Sequence, residues 1–155
     1  MTDLADVARR TDEATARARA ELVAAVRSAA AAGMTQAEIA RQIGRSQPEV
    51  SRLLRFHGTS PLSRKVRANA SEIRRIVGEA GGRRVRVFGS VATGVDRPDS
   101  DVDLLFAPRE PLSLMELGRV EKRLEDLLRV QVDLLPEPAL RADLRQRVLA
   151  EAIAL

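Results

Sequence analysis

The chemistry this chain can offer rests on a glycine–serine pair and three aspartates. Phe88-Gly89-Ser90 is followed by ten residues and then by Asp101-Val102-Asp103, and a third acid, Asp133, stands between Val132 and Leu134. Along a strand, residues two apart point to the same side, so Asp101 and Asp103 present both carboxylates to one face. Two such groups repel unless a cation intervenes. Hard oxygen ligands select Mg²⁺ or Mn²⁺, particularly where substrate phosphates complete the shell. An isolated Asp133 in an apolar strand has no structural purpose, but three acids on neighbouring strands can hold two metals. Gly89 lets the backbone approach a phosphate, and Ser90 supplies a hydroxyl and an N–H at a helix start. These parts imply phosphoryl chemistry by positioning and charge neutralisation, without a covalent nucleophile.

The acids must be held by strands, and the sequence supplies them. Val85, Val87 and Phe88 predict one, Asp101 to Ala107 a second and Val130 to Leu135 a third, closed by Pro136 and Pro138. Leu117, Val120, Leu124 and Leu127 mark an amphipathic helix between the last two strands; Leu140, Leu144 and Val148 stripe a final helix. Gly89 to Ser100 is rich in turn residues, and Asp96 and Asp99, beside Pro98 and Ser100, read as turn and capping residues. Upstream, Leu62, Val66, Ile73 and Val77 recur at near-helical spacing until Gly78 and Gly81-Gly82, predicting a linking helix over 61–80.

The N-terminal third has another character. Up to Gly33 it is rich in Ala, Glu and Arg, one long helix or two joined, with Leu22, Val23 and Val26 as its best apolar face. Thr35-Gln36-Ala37-Glu38 has the form of a capping box, and the helix it opens stops at Gly44. Ser46-Gln47-Pro48-Glu49 repeats the signature, and Val50, Leu53 and Leu54 form the inner face of a second short helix. Between Arg41 and Arg67 lie seven basic residues and one acid, Glu49, a net +6, so the remainder of the chain is slightly acidic. The run from Gln36 to Arg55, with Ala40, Gly44 and Val50 at the family spacing, resembles the bacterial helix-turn-helix family. That resemblance implies that Ser46, Gln47, Ser51 and Arg52 face bases or phosphates, that Arg55 meets the backbone, and that Gln36 caps its helix against a phosphate. Useful specificity then calls for a homodimer on two half-sites. The competing reading is a helical docking hairpin. Arg52 and His57 also match an arginine–histidine pair of one family of ribonuclease toxins; at this position the pair reads as coincidence, with His57 a helix-terminus residue.

Composition narrows the class. The 155 residues are 45% hydrophobic, enough for one respectable core or two small ones. There is no cysteine, which excludes disulfides and thiolate metal sites. Arginine dominance with abundant alanine suggests a GC-rich bacterial genome; the only lysines are Lys65 and Lys122. No signal-like or membrane-length apolar run occurs, so a soluble, cytoplasmic chain with no membrane partner is expected. A break at His57-Gly58-Thr59-Ser60-Pro61 places the boundary near residues 58 to 70. The expected fold is α+β: a helical helix-turn-helix domain over 1–60, then a small α/β domain over 61–155 with a short mixed sheet flanked by helices.

The Gly-Ser pair, the ten-residue gap, the Asp-x-Asp, the later Val-Asp-Leu-Leu and the closing Glu151-Ala152 together resemble the minimal nucleotidyltransferase family, relatives of the nucleotide-adding half of DNA polymerase beta. The resemblance covers about residues 65 to 155. It implies that Gly89 and Ser90 hold the triphosphate of ATP, that Asp101 and Asp103 bind Mg²⁺ (or Mn²⁺), and that Asp133 is a further ligand or the general base. One departure stands out: where many relatives carry arginines after Gly-Ser, this chain has Val91, Ala92, Thr93 and Gly94. A triphosphate contact is therefore lost or taken over by Arg84, Arg86 or Arg97. Small members of the family resemble antitoxins that attach AMP to a tyrosine of a HEPN-type ribonuclease toxin. This chain contains no tyrosine, so a cognate toxin partner is required, and the helix-turn-helix would repress the shared operon by binding its operator DNA. Two other readings stay open. One is a transcriptional regulator whose weak nucleotidyltransferase domain senses nucleotide or docks a toxin; the other is transfer to a small molecule or an RNA end, for which the chain leaves little room.

Overall fold

The computed structural model describes residues 3–155, which fall into two compact units divided between Leu54 and Arg55. The first is wholly helical. Helix α1 (Leu4–Ala31) is capped by Asp3, whose side chain accepts from the Ala5 N–H at 3.0 Å. Helices α2 (Gln36–Ile43) and α3 (Gln47–Leu54) each begin with the expected reciprocal cap, Thr35 with Glu38 and Ser46 with Glu49. Gly44, at φ 66°, supplies the left-handed turn between them. The core joins Val26 to Ile39, Ala40, Val50 and Leu53, with Leu22 and Val23 packed against it. Amphipathic spacing predicted those positions correctly.

The second unit runs α4 (Pro61–Ala68), α5 (Ala70–Glu79), β1 (Gly82–Phe88), α6 (Gly89–Thr93), β2 (Val102–Pro108), α7 (Leu114–Leu128), β3 (Val132–Pro136), α8 (Ala142–Glu151) and β4 (Ile153–Ala154). The sheet order is β3-β2-β1-β4, with β2 and β3 parallel and the other pairs antiparallel. This is the α+β arrangement expected, a short mixed sheet flanked by helices. Two elements differ from the sequence reading. The linking helix is broken at Asn69, whose Nδ2 donates to the Lys65 carbonyl at 2.8 Å while its own carbonyl accepts the Ile73 N–H. An asparagine side chain that competes for backbone partners ends one helix and lets the next begin. Strand β4 went unforeseen because two residues show no period; it is fixed by its pairing with β1 and by the Phe56 N–H bond to the Ala154 carbonyl.

Alternation sorts the sheet into two faces. Val85, Val87, Val102, Leu104, Phe106, Val132 and Leu134 pack with Ile73, Val77, Val120, Leu124 and Leu128 of α5 and α7 into the main core. The opposite face carries Phe88, Leu105 and Leu135, partly covered by Leu144, Val148 and Leu149 of α8. Between Arg83 and Arg86 the β1–β2 register shifts, and Arg84 adopts φ 51° there. This bulge keeps both Gly82 and Val85 on the core face. The free edge of β3 is screened by α7: Glu121 accepts the Leu134 N–H at 3.0 Å and Glu125 the Val132 N–H at 3.4 Å. No helix among the described residues is long and apolar enough to cross a membrane.

Candidate active site

The register of the sheet brings the three motifs to one end of it. Asp103 is the Cα partner of Phe88 on one side and of Asp133 on the other. Partners in adjacent strands share a face at a spacing of about 4.8 Å, so the Asp103 and Asp133 carboxylates are direct neighbours. Asp101 lies one residue ahead of β2, and both it and Asp133 are exposed, whereas Asp103 is half-buried. Burial, then the charges of Asp133 and Asp101, push the Asp103 carboxyl up to about 6. A cation beside these carboxylates would relieve that repulsion. Among the described residues no trio of acids or histidines converges tightly enough to define a metal centre by geometry alone.

Gly89 completes the cluster. At φ 72°, it turns the chain from β1 into α6 and lies so close to Asp103 that a Cβ would overlap Oδ2 and stand 3.1 Å from Cγ. Only glycine satisfies both demands. The Thr93 hydroxyl donates to the Gly89 carbonyl at 3.1 Å, Gly94 closes the helix at φ 78°, and buried Val91 anchors it. Gly89, Ser90, Asp101, Asp103 and Asp133 therefore lie at one end of the sheet. The backbone beside a carboxylate cradle, together with the carboxylate chemistry, fits a divalent ion shared with phosphate oxygens.

Other expectations need correction. Asp96 is more than a turn residue: its Oδ2 accepts the Ser60 hydroxyl at 2.6 Å, tying the loop before Asp101 to the α4 cap, and its buried Oδ1 has no partner. Such a contact spans 36 positions in sequence, and local turn chemistry could not reveal it. Arg84 and Arg86 line a cavity with Arg74 and Arg83 along β1, and Arg86 is held by Glu137 at 2.6 Å. Of the three arginines considered, Arg97 alone lies in the loop between the motifs.

In the first unit, Gln36 and Gln47 open α2 and α3, Ser51 and Arg52 lie on α3, and Ser46 immediately precedes it. The Ser46 hydroxyl is engaged with Glu49, donating to Oε2 at 2.8 Å and accepting the Glu49 N–H. Arg55 falls past the end of α3, in the second unit, where it bridges to Ala154 rather than continuing the helix; His57 also lies beyond α3.

A mixed four-stranded sheet with a Gly-Ser turn and paired aspartates at one end is the architecture of a nucleotidyl-transferring domain. Comparison with known proteins agrees: residues 70–155 match the nucleotidyltransferase domain model, and the chain belongs to that enzyme family. A Methanocaldococcus jannaschii chain named as a candidate protein adenylyltransferase is 35% identical over 89 residues, covering 55% of this chain and 96% of that one. The protein adenylyltransferase MntA of Thermococcus cleftensis is 38% identical over 73 residues, 47% of this chain and 74% of its own. A solved structure described as a candidate minimal nucleotidyltransferase is 42% identical, with a TM-score of 0.56 over 64% of this chain and all of the other. A toxin–antitoxin structure with AMP-PNP shares the fold at 20% identity, with a TM-score of 0.51 over 56% of this chain and 71% of the other.

Proposed function

We propose that the chain transfers AMP from ATP to a tyrosine hydroxyl of a partner HEPN-type toxin, acting as its antitoxin. The observation that carries this reading is the register match of Asp103 with Asp133 beside Gly89, which concentrates acids where a triphosphate can approach backbone. The relatives' name, protein adenylyltransferase, supports AMP and a protein acceptor. Asp101, Asp103 and Asp133 would hold Mg²⁺ or Mn²⁺, which neutralises phosphate charge and steadies the departing pyrophosphate. The Gly89 and Ser90 backbone would take the triphosphate as hydrogen-bond donor and close neighbour. Asp133, exposed at the rim, either adds to the metal's ligands or takes the proton of the incoming hydroxyl. The acceptor hydroxyl then bonds the α-phosphorus as the bond to pyrophosphate breaks.

The test is incubation of the full chain with labelled ATP, Mg²⁺ and the small helical protein encoded beside it. Label is expected on that partner and absent with D101N/D103N; equal labelling by that variant overturns the site. The stretch Val91, Ala92, Thr93 and Gly94, without the arginines that many relatives carry just after Gly-Ser, favours a second reading in which the domain senses nucleotide as a regulator. ATP binding without transfer to any partner would establish it.

For the N-terminal part, residues 1–60 in the division read from sequence, we propose operator binding as a homodimer, with Gln36, Gln47, Ser51 and Arg52 on the DNA face. The exposed α3 start and the positive stretch from Arg41 support this. Gel shifts with the upstream region should show binding that weakens steeply with salt, because phosphate contacts release counterions. No shift at low salt rejects it.

A further inference from the structure

A second cluster of charge lies on the same sheet, unused by the proposed transfer. Arg74 of α5 and Arg83, Arg84 and Arg86 of β1 line one cavity of about 360 Å³, completed by Gly82, Val85, Ala154 and Leu155, with no Asp or Glu side chain in its lining. Arg83 and Arg84 form no ion pair among the described residues. Among the described residues the Arg74 guanidinium donates to the Ser71 hydroxyl alone, at 3.3 Å. Arg86 is fixed through Nη2 by Glu137, yet its buried Nε donor has no partner. Like charges gathered this way raise one another's energy unless an anion joins them.

The backbone supports the same conclusion. Arg84 sits at φ 51° within the bulge, where glycine or asparagine is favoured and other residues cost about 1 kcal/mol or more. Strain of this kind persists where the surrounding structure over-determines it, commonly at ligand clamps, and bulges re-aim side chains. Arg84 is four residues from Phe88, about 13 Å along the strand, and the nearer lining residue, Arg86, two residues from Phe88, is paired with Glu137 rather than with an aspartate of the cluster. Guanidinium forks match phosphate oxygens and also stack on flat rings, and the volume falls in the range of small-ligand pockets.

We infer that this cavity is a second anion site that binds a phosphate ester of nucleotide size, such as a nucleoside monophosphate. Calorimetry on the full chain carrying D101N/D103N, in EDTA to silence the aspartate cluster, should detect AMP binding that weakens with salt. Ribose 5-phosphate and inorganic pyrophosphate should bind at least several-fold more weakly, lacking the ring that the apolar lining accepts. Adding R74Q/R83Q, both at exposed positions, should weaken AMP at least tenfold without lowering Tm, whereas R41Q/R45Q in the first unit should leave it unchanged. AMP binding that is absent at millimolar concentration, or unaltered by R74Q/R83Q, overturns the site. Pyrophosphate binding as tightly as AMP overturns the nucleotide assignment. Binding confined to a single-stranded oligonucleotide and lost in R74Q/R83Q overturns the small-ligand reading in favour of a nucleic-acid surface.

Discussion

Gly89→Ala separates backbone strain from the close approach to Asp103, because Gly94 provides a matched control. Both glycines have left-handed backbones, φ 72° and φ 78°, but a Cβ at Gly94 meets nothing within 4 Å whereas one at Gly89 overlaps Asp103 Oδ2. Placing alanine in that conformation costs about 1–2 kcal/mol, offset by roughly 0.4–1 kcal/mol from a stiffer unfolded chain. Each variant should therefore lose about 1 kcal/mol, a fall in Tm of about 4–8 °C for a unit of this size. In Gly89→Ala the carboxylate must also retreat by about 1 Å to restore an ordinary contact of roughly 3.5 Å. A displacement of that size at a reacting centre is worth about 100-fold in rate. Transfer of labelled AMP should fall by that factor in Gly89→Ala and by less than threefold in Gly94→Ala, with similar melting temperatures. The stabilisation of each protein by ATP and Mg²⁺ gives a second readout, lost only in Gly89→Ala. Equal transfer by the two variants would refute the cradle argument.

Asp103→Asn should stabilise the protein in EDTA. The native carboxyl lies at about 6, above its ordinary value of 3.8, so the folded state binds the proton more tightly. Its favourable contribution is present at low pH and lost as pH rises through about 6; the amide should gain roughly 1 kcal/mol at pH 7.5, after discounting for exposure, and almost nothing below pH 4. A variant less stable than wild type at pH 7.5 contradicts the repulsion. Arg129, at the C-terminal end of α7 with φ 58°, occupies a position suited to glycine, and Arg129→Gly should raise stability by about 0.5–1 kcal/mol in chemical denaturation; any loss refutes this. Ser113 accepts the Glu116 N–H at 3.2 Å in a complete capping box, so Ser113→Ala should cost about 1 kcal/mol, and an unchanged denaturation midpoint would show the cap to be idle.

What the sequence made legible follows a single physical rule. Features whose cause is local were readable: both N-terminal caps, the Gly44 turn, the stripe of α7 and the acids two apart at the start of β2. Asp133 was readable because a charge in an apolar strand demands an explanation, and parallel pairing then set it opposite Asp103. Features whose cause lies far along the chain were not. Asp96 takes its role from Ser60, Arg86 from Glu137, and β4 from a strand 60-odd residues earlier, and no window of sequence contains both partners. The choice among the arginines was hidden for the same reason. Arg84, Arg86 and Arg97 stood as alternatives should a triphosphate contact be taken over rather than lost, but a strand carries its residues away at about 3.3 Å each, and Arg84 and Arg86 line a cavity with Arg74. The glycine, by contrast, is constrained by both kinds of cause at once, a local turn and a distant carboxylate. Substitution there consequently tests the assembled site, whereas substitution at Gly94 tests only the turn.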